Sequence, residues 1–360
     1  MTFSSLVSKN FRNLADTAVY TDAKNIFLVG ENGQGKTNFL EALYFSAYAS
    51  SFRVAHDREL IRTGEKSCTV AAVLNGAVRN RIVTSIENNK KIINIDGKKI
   101  EDRKDILSII PCIVFCHDDM LFVSGSLEER RWFFDQVQSL YDPLYVDDLR
   151  YYRRVLKNRN TVLKEYKDGS FNTSLLDALD QQLVHYGWNI MEKRSKSVQY
   201  FSHIFGPLYA LMSGISGINI YWSPSWKREN EHVIIELLRK GRLKDLTVGT
   251  SLSGPHRDRY SFYKGTHEFT SQASTGQRRL LALLLRIAQA HCFSEITGVL
   301  PVLLLDDVLL ELDPEKRKNF FNILPNYSQA FYTFLPGEQY EHYITNTLVY
   351  TVKNGTLTKN

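Results

Sequence analysis

A glycine-rich motif near the N-terminus constrains this chain more than any other feature. Gly30-Glu-Asn-Gly-Gln-Gly-Lys-Thr37 fits the pattern G-x-x-x-x-G-K-[ST], and it lies between an apolar run at 25–29 and a helical run at 38–48. A strand, a glycine-rich turn and a helix in this order form a P-loop, in which backbone N–H groups and the helix N-terminus face phosphate oxygens. The motif therefore predicts an α/β nucleotide-binding fold.

The side chains and backbone of this loop have distinct predicted roles. We expect the Lys36 ammonium to reach the β- and γ-phosphates of ATP, and the Thr37 hydroxyl to ligate Mg²⁺. Glycines let the loop backbone curl so that its N–H groups point at phosphate. The other predicted nucleotide-binding positions are Gly30, Glu31, Asn32, Gly33, Gln34 and Gly35.

Two adjacent carboxylates in the C-terminal part of the chain are candidates for two roles that a P-loop does not provide, a carboxylate for the Mg²⁺ site and a residue that acts on the attacking water. The sequence PVLLL at 301–305 is typical of a buried strand, and Asp306 and Asp307 follow directly. We expect Asp306 to belong to the Mg²⁺ site and Asp307 to be the catalytic residue that orients or polarises the attacking water.

A second possible anion site lies between these two motifs in the sequence. Ala273-Ser-Thr-Gly-Gln-Arg-Arg279 precedes an apolar helix at 280–290, and a small residue with a glycine at a helix N-terminus favours anion binding. An ordinary helix start with a basic first turn is the alternative interpretation. ABC-type ATPases use such a second cap to bind the γ-phosphate of ATP held by a neighbouring subunit.

These motifs together resemble the RecF family, which is related to the Rad50 and SMC heads. The resemblance extends over nearly the whole chain and is carried by further segments at 10–13, 51–53, 59–62, 129–131, 134–135, 152–160, 254–258 and 303–308. It implies an α/β, ABC-type P-loop ATPase head without a long coiled coil. The ATPase lobe would comprise 1–120 and 246–360, with an inserted, mainly helical lobe at 121–245.

The same resemblance implies a function in DNA repair. ATP and Mg²⁺ would drive head-to-tail homodimerisation, with each P-loop facing Ser274, Gly276 and Gln277 of the partner subunit. The dimer would clamp double-stranded DNA near double-strand/single-strand junctions and, with RecR and RecO, promote loading of RecA during gap repair. Weak, DNA-stimulated ATP hydrolysis would reset this switch. Most ABC ATPases have Glu where this chain has the shorter Asp307, which predicts slow turnover.

The resemblance assigns further roles and shows departures from the family pattern. Arg12 and Asn13 match a segment that lies near bound nucleotide, and 311–313 match the D-loop. The departures remove no predicted phosphate or metal ligand, and they comprise Arg278, Leu310, His117-Asp-Asp119, and Phe334 and Leu335 after Thr333. His256 is interpreted either as a structural loop residue or as a polar contact coupling the helical lobe to the nucleotide interface.

Charge permits a nucleic-acid partner without identifying one. The chain has 45 Lys+Arg and 39 Asp+Glu, which gives a net charge of +6; this excess is modest for the length. One face of a predicted helix is basic and is a candidate DNA backbone contact, the alternative being a solvated helix face. Such contacts would make binding salt-dependent and largely independent of sequence. The candidate residues are Arg150, Arg153, Arg154 and Lys157.

Several other classes of protein are disfavoured. No apolar stretch has the length of a signal peptide or a membrane span, because Arg286 interrupts the longest run, and the four cysteines form no CxxC pair. We therefore expect a cytoplasmic, nucleoid-associated protein with free thiols and no membrane partner. The alternatives are an ABC-transporter ATPase subunit, a small-molecule P-loop kinase or GTPase, and a non-catalytic DNA-binding protein. The long helical insertion disfavours the first, and the cap at 274–277 and the lack of an NKxD motif disfavour the second.

Periodicity gives a coarse secondary structure around these motifs. Alternating or apolar β-branched runs predict strands at 68–74, 81–86, 91–95, 109–116, 233–238, 260–262, 302–305, 330–332 and 348–352. From 127 to 211 the apolar period is near 3.6, which predicts two long helices that pack as an antiparallel pair.

Overall fold

A computed structural model of the chain describes residues 1–76, 80–165, 173–227, 229–309, 312–338 and 347–360. It divides into two compact units, one formed by Met1–Asp119 with Ala282–Asn360 and the other by Met120–Leu281. The first boundary lies within one residue of its expected position at 120/121. The second lies well beyond the expected 245/246, because residues 259–264 pair as a strand with residues 218–223. The segment 246–281 therefore belongs with the helical unit.

The first unit contains two six-stranded sheets within the described residues. Its strands are β1 (Thr2–Lys9), β2 (Ala18–Tyr20), β3 (Asn25–Val29), β4 (Ser67–Asn75), β5 (Arg81–Glu87), β6 (Lys90–Ile95), β7 (Lys98–Ile100), β8 (Cys112–Phe115), β12 (Val302–Leu305), β13 (Gln329–Phe334), β14 (Thr347–Lys353) and β15 (Thr356–Lys359). Its helices are α1 (Lys36–Tyr48), the larger part of α8 (Thr275–Thr297) and α9 (Pro314–Ile323). Short 3₁₀ turns lie at Asp57–Leu60, Arg103–Ile106 and His117–Met120.

The two sheets differ in topology and in burial. One is antiparallel in the order β2-β1-β4-β5-β6-β7, and most of its strands alternate between buried and more exposed positions. The other has the order β15-β14-β3-β13-β12-β8, and β14, β3, β13, β12 and β8 are parallel. Every residue of β3, β8, β12 and β13 is buried, which explains why these strands appear in the sequence as continuous apolar runs.

The parallel sheet sets the position of the candidate site. The P-loop follows β3, the Asp pair follows β12, and Thr333 lies near the end of β13, which runs between those two strands. Because the carboxyl ends of parallel strands meet at one edge of a sheet, these residues converge there. Helix α1 packs against β4, β5 and β13 and therefore contacts both sheets. Buried Gln329 also joins them, since its amide exchanges hydrogen bonds with the Phe3 backbone at 2.8 and 3.0 Å.

The second unit is mainly helical. Its helices are α2 (Leu121–Ser124), α3 (Leu127–Tyr141), α4 (Pro143–Lys164), α5 (Thr173–Ser213), α6 (Glu231–Val248), α7 (Phe269–Gln272) and the first turns of α8. The strands β9 (Ile218–Ser223), β10 (Arg259–Lys264) and β11 (His267–Glu268) form an antiparallel sheet, and a 3₁₀ turn lies at Pro255–Arg257.

Helices α4 and α5 confirm the predicted antiparallel pair. Tyr151 stacks on Tyr186 with ring centroids 5.1 Å apart, and Arg159 donates to Asp180 at 2.7 Å, so the partner number on α5 falls as the number on α4 rises. Their shared core also includes fully buried Trp226. Arg159 is itself fully buried and is neutralised by Asp180 and Asp245, both at 2.7 Å.

One predicted strand is wrong. Residues 233–238 lie inside α6, although their β-branched and apolar composition favours a strand. The Asn230 side chain caps the helix by accepting from the Val233 N–H at 2.9 Å, and Ile234 and Leu238 pack into the core of α4 and α5. Burial of these residues at helical spacing outweighs their local β-propensity.

Helix α8 is a core helix that carries a buried charge. In the part of the chain that the structure describes, it alone is long and apolar enough to cross a membrane, and 72% of its most apolar window is buried inside the protein. Arg286 interrupts it and pairs with buried Asp119 at 2.7 Å. The four cysteines are free, as predicted, and burial raises the pKa of Cys68 and of Cys292 to about 12.

Candidate nucleotide-binding site

Backbone carbonyl groups of the P-loop contact the ammonium group of Lys36, which lies at the end of the same loop. Lys36 is buried in the first turn of α1, and its Nζ donates to the carbonyl oxygens of Gly30 at 2.6 Å and of Glu31 at 3.2 Å. Gly35 has φ +116°, a value that side chains rarely allow, and a Cβ there would lie 3.1 Å from Asn13 Oδ1. The loop is therefore folded around the Lys36 ammonium group, and phosphate binding by its backbone stays a prediction.

An open cleft of about 200 Å³ adjoins this loop. It brings together most of the predicted loop residues with the predicted catalytic carboxylate. Gln34 does not line it, because its side chain accepts the Asn354 N–H at 2.7 Å on the C-terminal hairpin. The lining residues are Glu31, Asn32, Gly33, Gly35, Lys36, Thr37, Asn38, Arg53 and Asp307.

The two predicted metal ligands meet directly. Thr37 Oγ1 donates to Asp306 Oδ1 at 2.8 Å, although the residues are far apart in the sequence. A hydroxyl and a carboxylate beside a phosphate cradle are the oxygen ligands that Mg²⁺ prefers, and Mg²⁺ completes its coordination with water and substrate phosphate. The donor set therefore fits the predicted ion. Among the described residues there is no group of three or more His, Cys, Asp or Glu that could hold a metal by protein ligands alone.

Asp306 lies in an unfavourable environment for a negative charge. Burial raises the pKa of its carboxyl group to about 6, and the neighbouring charge of Asp307 adds to this. The hydrogen bond from Thr37 and the positive charge of Arg53 oppose the shift only in part. A bound cation would remove this cost, so the site stores unfavourable electrostatic energy until it is filled.

We expect the substitution Asp306→Asn to stabilise the protein without nucleotide. An acid whose pKa is raised by folding stabilises the fold only at low pH, and that contribution is lost as pH rises through about 6. Near pH 7.5 the asparagine variant should therefore exceed wild type by about 2 kcal/mol in the free energy of unfolding. Denaturant titrations from pH 5 to 8 measure this. A difference that does not shrink towards the acidic end would contradict the assignment.

Asp307 is held by its backbone as well as its side chain. Its φ is +53°, and its N–H donates to Thr333 Oγ1 at 2.7 Å. The Thr333 hydroxyl in turn donates to Asp307 Oδ1 at 2.8 Å. Aspartate tolerates left-handed backbone better than most residues. These two hydrogen bonds fix the Asp307 carboxylate to the end of β13. Thr333 makes them even though Phe334 and Leu335 replace the threonines that follow it in the family pattern.

Arg12 and Asn13 support the loop in different ways. Asn13 Nδ2 donates to the Gly33 carbonyl at 3.2 Å, so it braces the P-loop directly. Arg12 instead forms two hydrogen bonds, of 2.9 and 3.2 Å, to the buried carboxylate of Glu41 in α1. Neither side chain lines the cleft, and nucleotide contact by either stays a prediction.

Arg53 and Glu41 are site residues that sequence reasoning did not assign. Arg53 lines the cleft, donates to Asn38 Oδ1 at 3.0 Å and lies 3.9 Å from Glu41. The segment 51–53 is part of the family resemblance, which marks Arg53 as a residue of interest but predicts no function for it. Thr333 belongs to a segment that departs from the family pattern, and the sequence does not predict its contact with Asp307.

The predicted signature residues form a helix cap in the second unit. Ser274 Oγ accepts from the Gln277 N–H at 3.2 Å, and Gln277 Oε1 accepts from the Ser274 N–H at 2.8 Å. This reciprocal pair is a capping box, and Ser274 and Gly276 are exposed. Arg278 donates from Nε to the Ala273 carbonyl at 3.0 Å. Contact with a nucleotide from another subunit stays a prediction.

Of the predicted D-loop, Leu310 and Glu311 lie outside the described residues. Asp313 caps α9, since its Oδ1 accepts from the Lys316 N–H at 2.8 Å. The departure at 117–119 forms a 3₁₀ turn, in which Asp119 accepts the Cys116 N–H at 2.9 Å. The carboxylate of Asp119 contacts both Cys116 and Arg286. The turn therefore contains a buried acidic residue although its sequence departs from the family pattern.

The candidate DNA-contact residues share an exposed face. Arg150, Arg153, Arg154 and Lys157 all lie exposed on α4, and Arg150 is 3.7 Å from Asp147. Their exposure fits either interpretation, a solvated helix face or a phosphate-contacting stripe.

His256 is engaged at both ring nitrogens inside the second unit. Nδ1 is 2.7 Å from the Tyr152 hydroxyl and Nε2 is 3.1 Å from the Ser251 carbonyl. Burial lowers the pKa of His256 to about 4, so the ring is neutral, with Nε2 donating to Ser251 and Nδ1 accepting from Tyr152. These contacts account for His256 as a structural residue.

Comparison with known proteins gives a consistent assignment. The family model for the RecF/RecN/SMC N terminal domain matches residues 2–358. The DNA replication and repair protein RecF of Treponema pallidum (strain Nichols) is 44% identical over 349 residues, covering 96% of this chain and 98% of that protein. A RecF of Leptospira interrogans is 30% identical, covering 96% of this chain and 94% of that protein.

Solved structures agree with the sequence relatives. The recombination mediator protein RecF bound to ATP, from the RecFOR pathway, matches with a TM-score of 0.91 and 26% identity, covering 99% of this chain and 97% of that one. An Smc head domain from Pyrococcus furiosus matches with a TM-score of 0.54, 17% identity, and coverage of 99% and 95%. The predicted fold class, an α/β ABC-type ATPase head with a mainly helical second part, is confirmed.

Proposed function

The chain belongs to the RecF family, and from that premise we propose that it is an ATP-dependent, DNA-binding recombination mediator of gap repair. One observation carries the ATP-dependent part of this proposal. The 2.8 Å hydrogen bond between Thr37 and Asp306 joins the P-loop to the acidic end of β12, beside a lysine already enclosed by loop carbonyls. Burial raises the pKa of Asp306 to about 6, so its negative charge is unfavourable here, and the metal of a bound nucleotide triphosphate would remove that cost.

ATP would be held by the P-loop backbone and Lys36, with Thr37 and Asp306 as the protein ligands of Mg²⁺. Bound Mg²⁺ supplies positive charge that neutralises the phosphates and permits their transfer. Asn13 keeps the loop in shape through Gly33, and Arg53 contributes a positive side chain at the rim of the cleft. The structure of the RecF relative with ATP supports nucleotide binding at this fold.

ATP-dependent, head-to-tail dimerisation is proposed from the surface of the signature helix. Gly276 lies in the first turn of α8, and a Cβ there would have no neighbour closer than Ser274 Oγ at 4.0 Å. A helical glycine costs about 1 kcal/mol relative to alanine, and packing against the residues that the structure describes does not explain it. An exposed helix N-terminus without side-chain bulk suits the γ-phosphate of ATP bound by a second copy.

The dimer would clamp double-stranded DNA near double-strand/single-strand junctions. The stripe at Arg150, Arg153, Arg154 and Lys157 would contact backbone phosphates, which makes affinity fall with salt and depend little on sequence. With RecR and RecO the clamp would promote RecA loading. Hydrolysis assisted by Asp307, slow and stimulated by DNA, would open the dimer again and act as a switch.

Sedimentation with ATP and Mg²⁺ tests this proposal. Wild type should dimerise, more strongly with duplex DNA present, and Ser274→Arg should remain a monomer. Gly276→Asp should also remain a monomer, because a carboxylate near the helix N-terminus repels phosphate while it favours the helix itself. Gly241→Asp on α6 is the matched control, since a Cβ there meets no atom of the described part of the chain within 4 Å, and it should dimerise like wild type.

The controls separate loss of folding from loss of the interface. Thermal unfolding of Gly276→Asp should start no lower than that of wild type. A wild-type protein that stays monomeric with ATP, Mg²⁺ and DNA would defeat the proposal. Equal dimerisation of wild type and Gly276→Asp would show that the signature helix does not face nucleotide.

A further inference from the structure

A second cleft lies wholly within the helical unit. It has a volume of about 330 Å³ and lies between α3, α4, α5 and the 3₁₀ turn at Pro255–Arg257. Four of the segments that carry the family resemblance, at 129–131, 134–135, 152–160 and 254–258, contribute residues to it. None of them belongs to the P-loop cleft, so the ATP site does not explain why they converge.

The charged side chains at the floor of this cleft are buried and paired. Buried Arg194 forms ion pairs with Asp135 at 2.9 Å and with Asp258 at 2.8 Å. Asp258 also accepts from the Trp222 indole at 3.1 Å and from the Ser225 N–H at 2.8 Å. These contacts account for the buried polar residues as structural support. At the mouth, Arg131 donates to the Asp258 carbonyl oxygen at 2.9 Å and Arg257 to the Ser251 carbonyl oxygen at 3.2 Å, which positions both side chains without neutralising their charge.

The mouth carries an excess of guanidinium groups. Arg131, Arg153 and Arg257 line it, and the acidic side chain at the mouth is the exposed Glu128. Glu128 lies in the first turn of α3, where an acid favours the helix N-terminus irrespective of the cleft. Burial lowers the pKa of Arg131, and the like charge of Arg194 lowers it further. The positive charge here is therefore only partly compensated by the protein.

An exposed tryptophan adjoins these arginines. Trp132 lines the same cleft and is 46% exposed, and it stacks on Phe122 with ring centroids 5.8 Å apart. A single exposed apolar side chain is common on a protein surface, so what distinguishes Trp132 is that it lines the same cleft as the three arginines. Arginine forks match phosphate geometry, and a base can stack on an aromatic ring, so the two features together fit a nucleotide. The volume is at the lower end of the range for small-ligand sites.

We propose that this cleft is a second nucleotide site, in which Arg131, Arg153 and Arg257 bind a phosphate group and Trp132 contacts the base. The nucleotide is either a unit of a DNA strand or a free nucleotide, since the recognising chemistry is the same. The first of these sources rests on the DNA-binding function proposed above. The site itself does not depend on it.

Quenching of tryptophan fluorescence by dTMP and by a single-stranded oligonucleotide tests the proposal in the full chain. The chain has four tryptophans, so Trp132→Phe identifies the signal and should abolish most of the quenching. Arg153→Glu should weaken binding by about tenfold or more, the usual cost of losing a charged hydrogen bond. The exposed Lys240→Glu on α6 is the charge-matched control and should bind like wild type.

Each outcome decides the proposal. Quenching by dTMP that Arg153→Glu weakens supports the site with a free nucleotide as ligand, and quenching by the oligonucleotide alone supports it with a DNA strand. No quenching by either, quenching that Trp132→Phe retains in full, or equal losses in Arg153→Glu and Lys240→Glu, would overturn it. In that event, ATP-dependent retention of duplex DNA in a gel would leave the proposed function intact. If ATP-dependent retention of duplex DNA is lost but quenching persists, the proposed function fails and the second nucleotide site stands.

Discussion

Replacing Gly355 with alanine should destabilise the first unit by more than about 3 kcal/mol and abolish ATP binding. A Cβ at this position would lie 1.8 Å from the Asn13 carbonyl oxygen and 2.7 Å from its carbon, and φ is +77°. The Gly355 N–H donates to the Gln34 carbonyl at 2.8 Å, and its own carbonyl accepts from the Ala15 N–H at 2.8 Å. The turn is thus fixed between the P-loop and the segment that braces it, with no room to shift.

A second glycine separates this collision from the cost of the backbone angle alone. Gly97, in the turn between β6 and β7 of the same unit, has φ +81°, and a Cβ added there would meet none of the described residues within 4 Å. Gly97→Ala should cost about 1 kcal/mol and leave ATP affinity unchanged. Urea unfolding and titration with a fluorescent ATP analogue measure both quantities. Similar losses in the two variants would mean that the hairpin at 354–355 does not support the loop.

The contrast between the P-loop and Gly355 shows what the sequence could predict. The P-loop lies within a continuous strand, turn and helix, so local residue types fix its conformation and its chemistry. The strand predicted at 302–305 coincides with β12 because four buried apolar residues end abruptly in two acids. Gly355 follows an asparagine, which indicates a hairpin turn. No local pattern shows that this turn rests on Gln34, and only the paired strands β14 and β3 bring the two together.

Long-range burial explains the remaining differences. Arg159 lies close to the basic stripe of α4 in the sequence, yet it is fully buried between Asp180 and Asp245. Helical spacing from Tyr152 and Leu163 places Arg159 on the apolar face, but nothing near it in the sequence identifies the two acids that pair with it. The strand predicted at 233–238 was wrong for a related reason, since packing against α4 and α5 decides that segment. The boundary expected at 245/246 was misplaced because pairing of β9 with β10 crosses it.

Asp307 connects the strained backbone of the site to the rate of hydrolysis. Its left-handed φ of +53° favours aspartate or asparagine and disfavours a longer side chain. The residue that most ABC ATPases use here, glutamate, would therefore need this backbone to relax. The shorter aspartate suits this backbone conformation, and its carboxylate extends one methylene less far into the cleft than that of a glutamate would. The slow turnover that we propose for this chain would follow from the same geometry that fixes Asp307 to Thr333.

We expect Asp307→Asn to lower kcat for ATP by about 10²- to 10³-fold while ATP-dependent dimerisation persists. Asparagine keeps the left-handed backbone and can still accept the Thr333 hydrogen bond, but it cannot take a proton from water. Asp306→Asn is the contrasting variant and should lose Mg²⁺-dependent ATP binding itself. Single-turnover kinetics with radiolabelled ATP, alongside sedimentation, separate the two effects. An unchanged kcat in Asp307→Asn would assign the water-activating role to another residue, and a wild-type rate of many turnovers per second would remove the argument that this geometry slows hydrolysis.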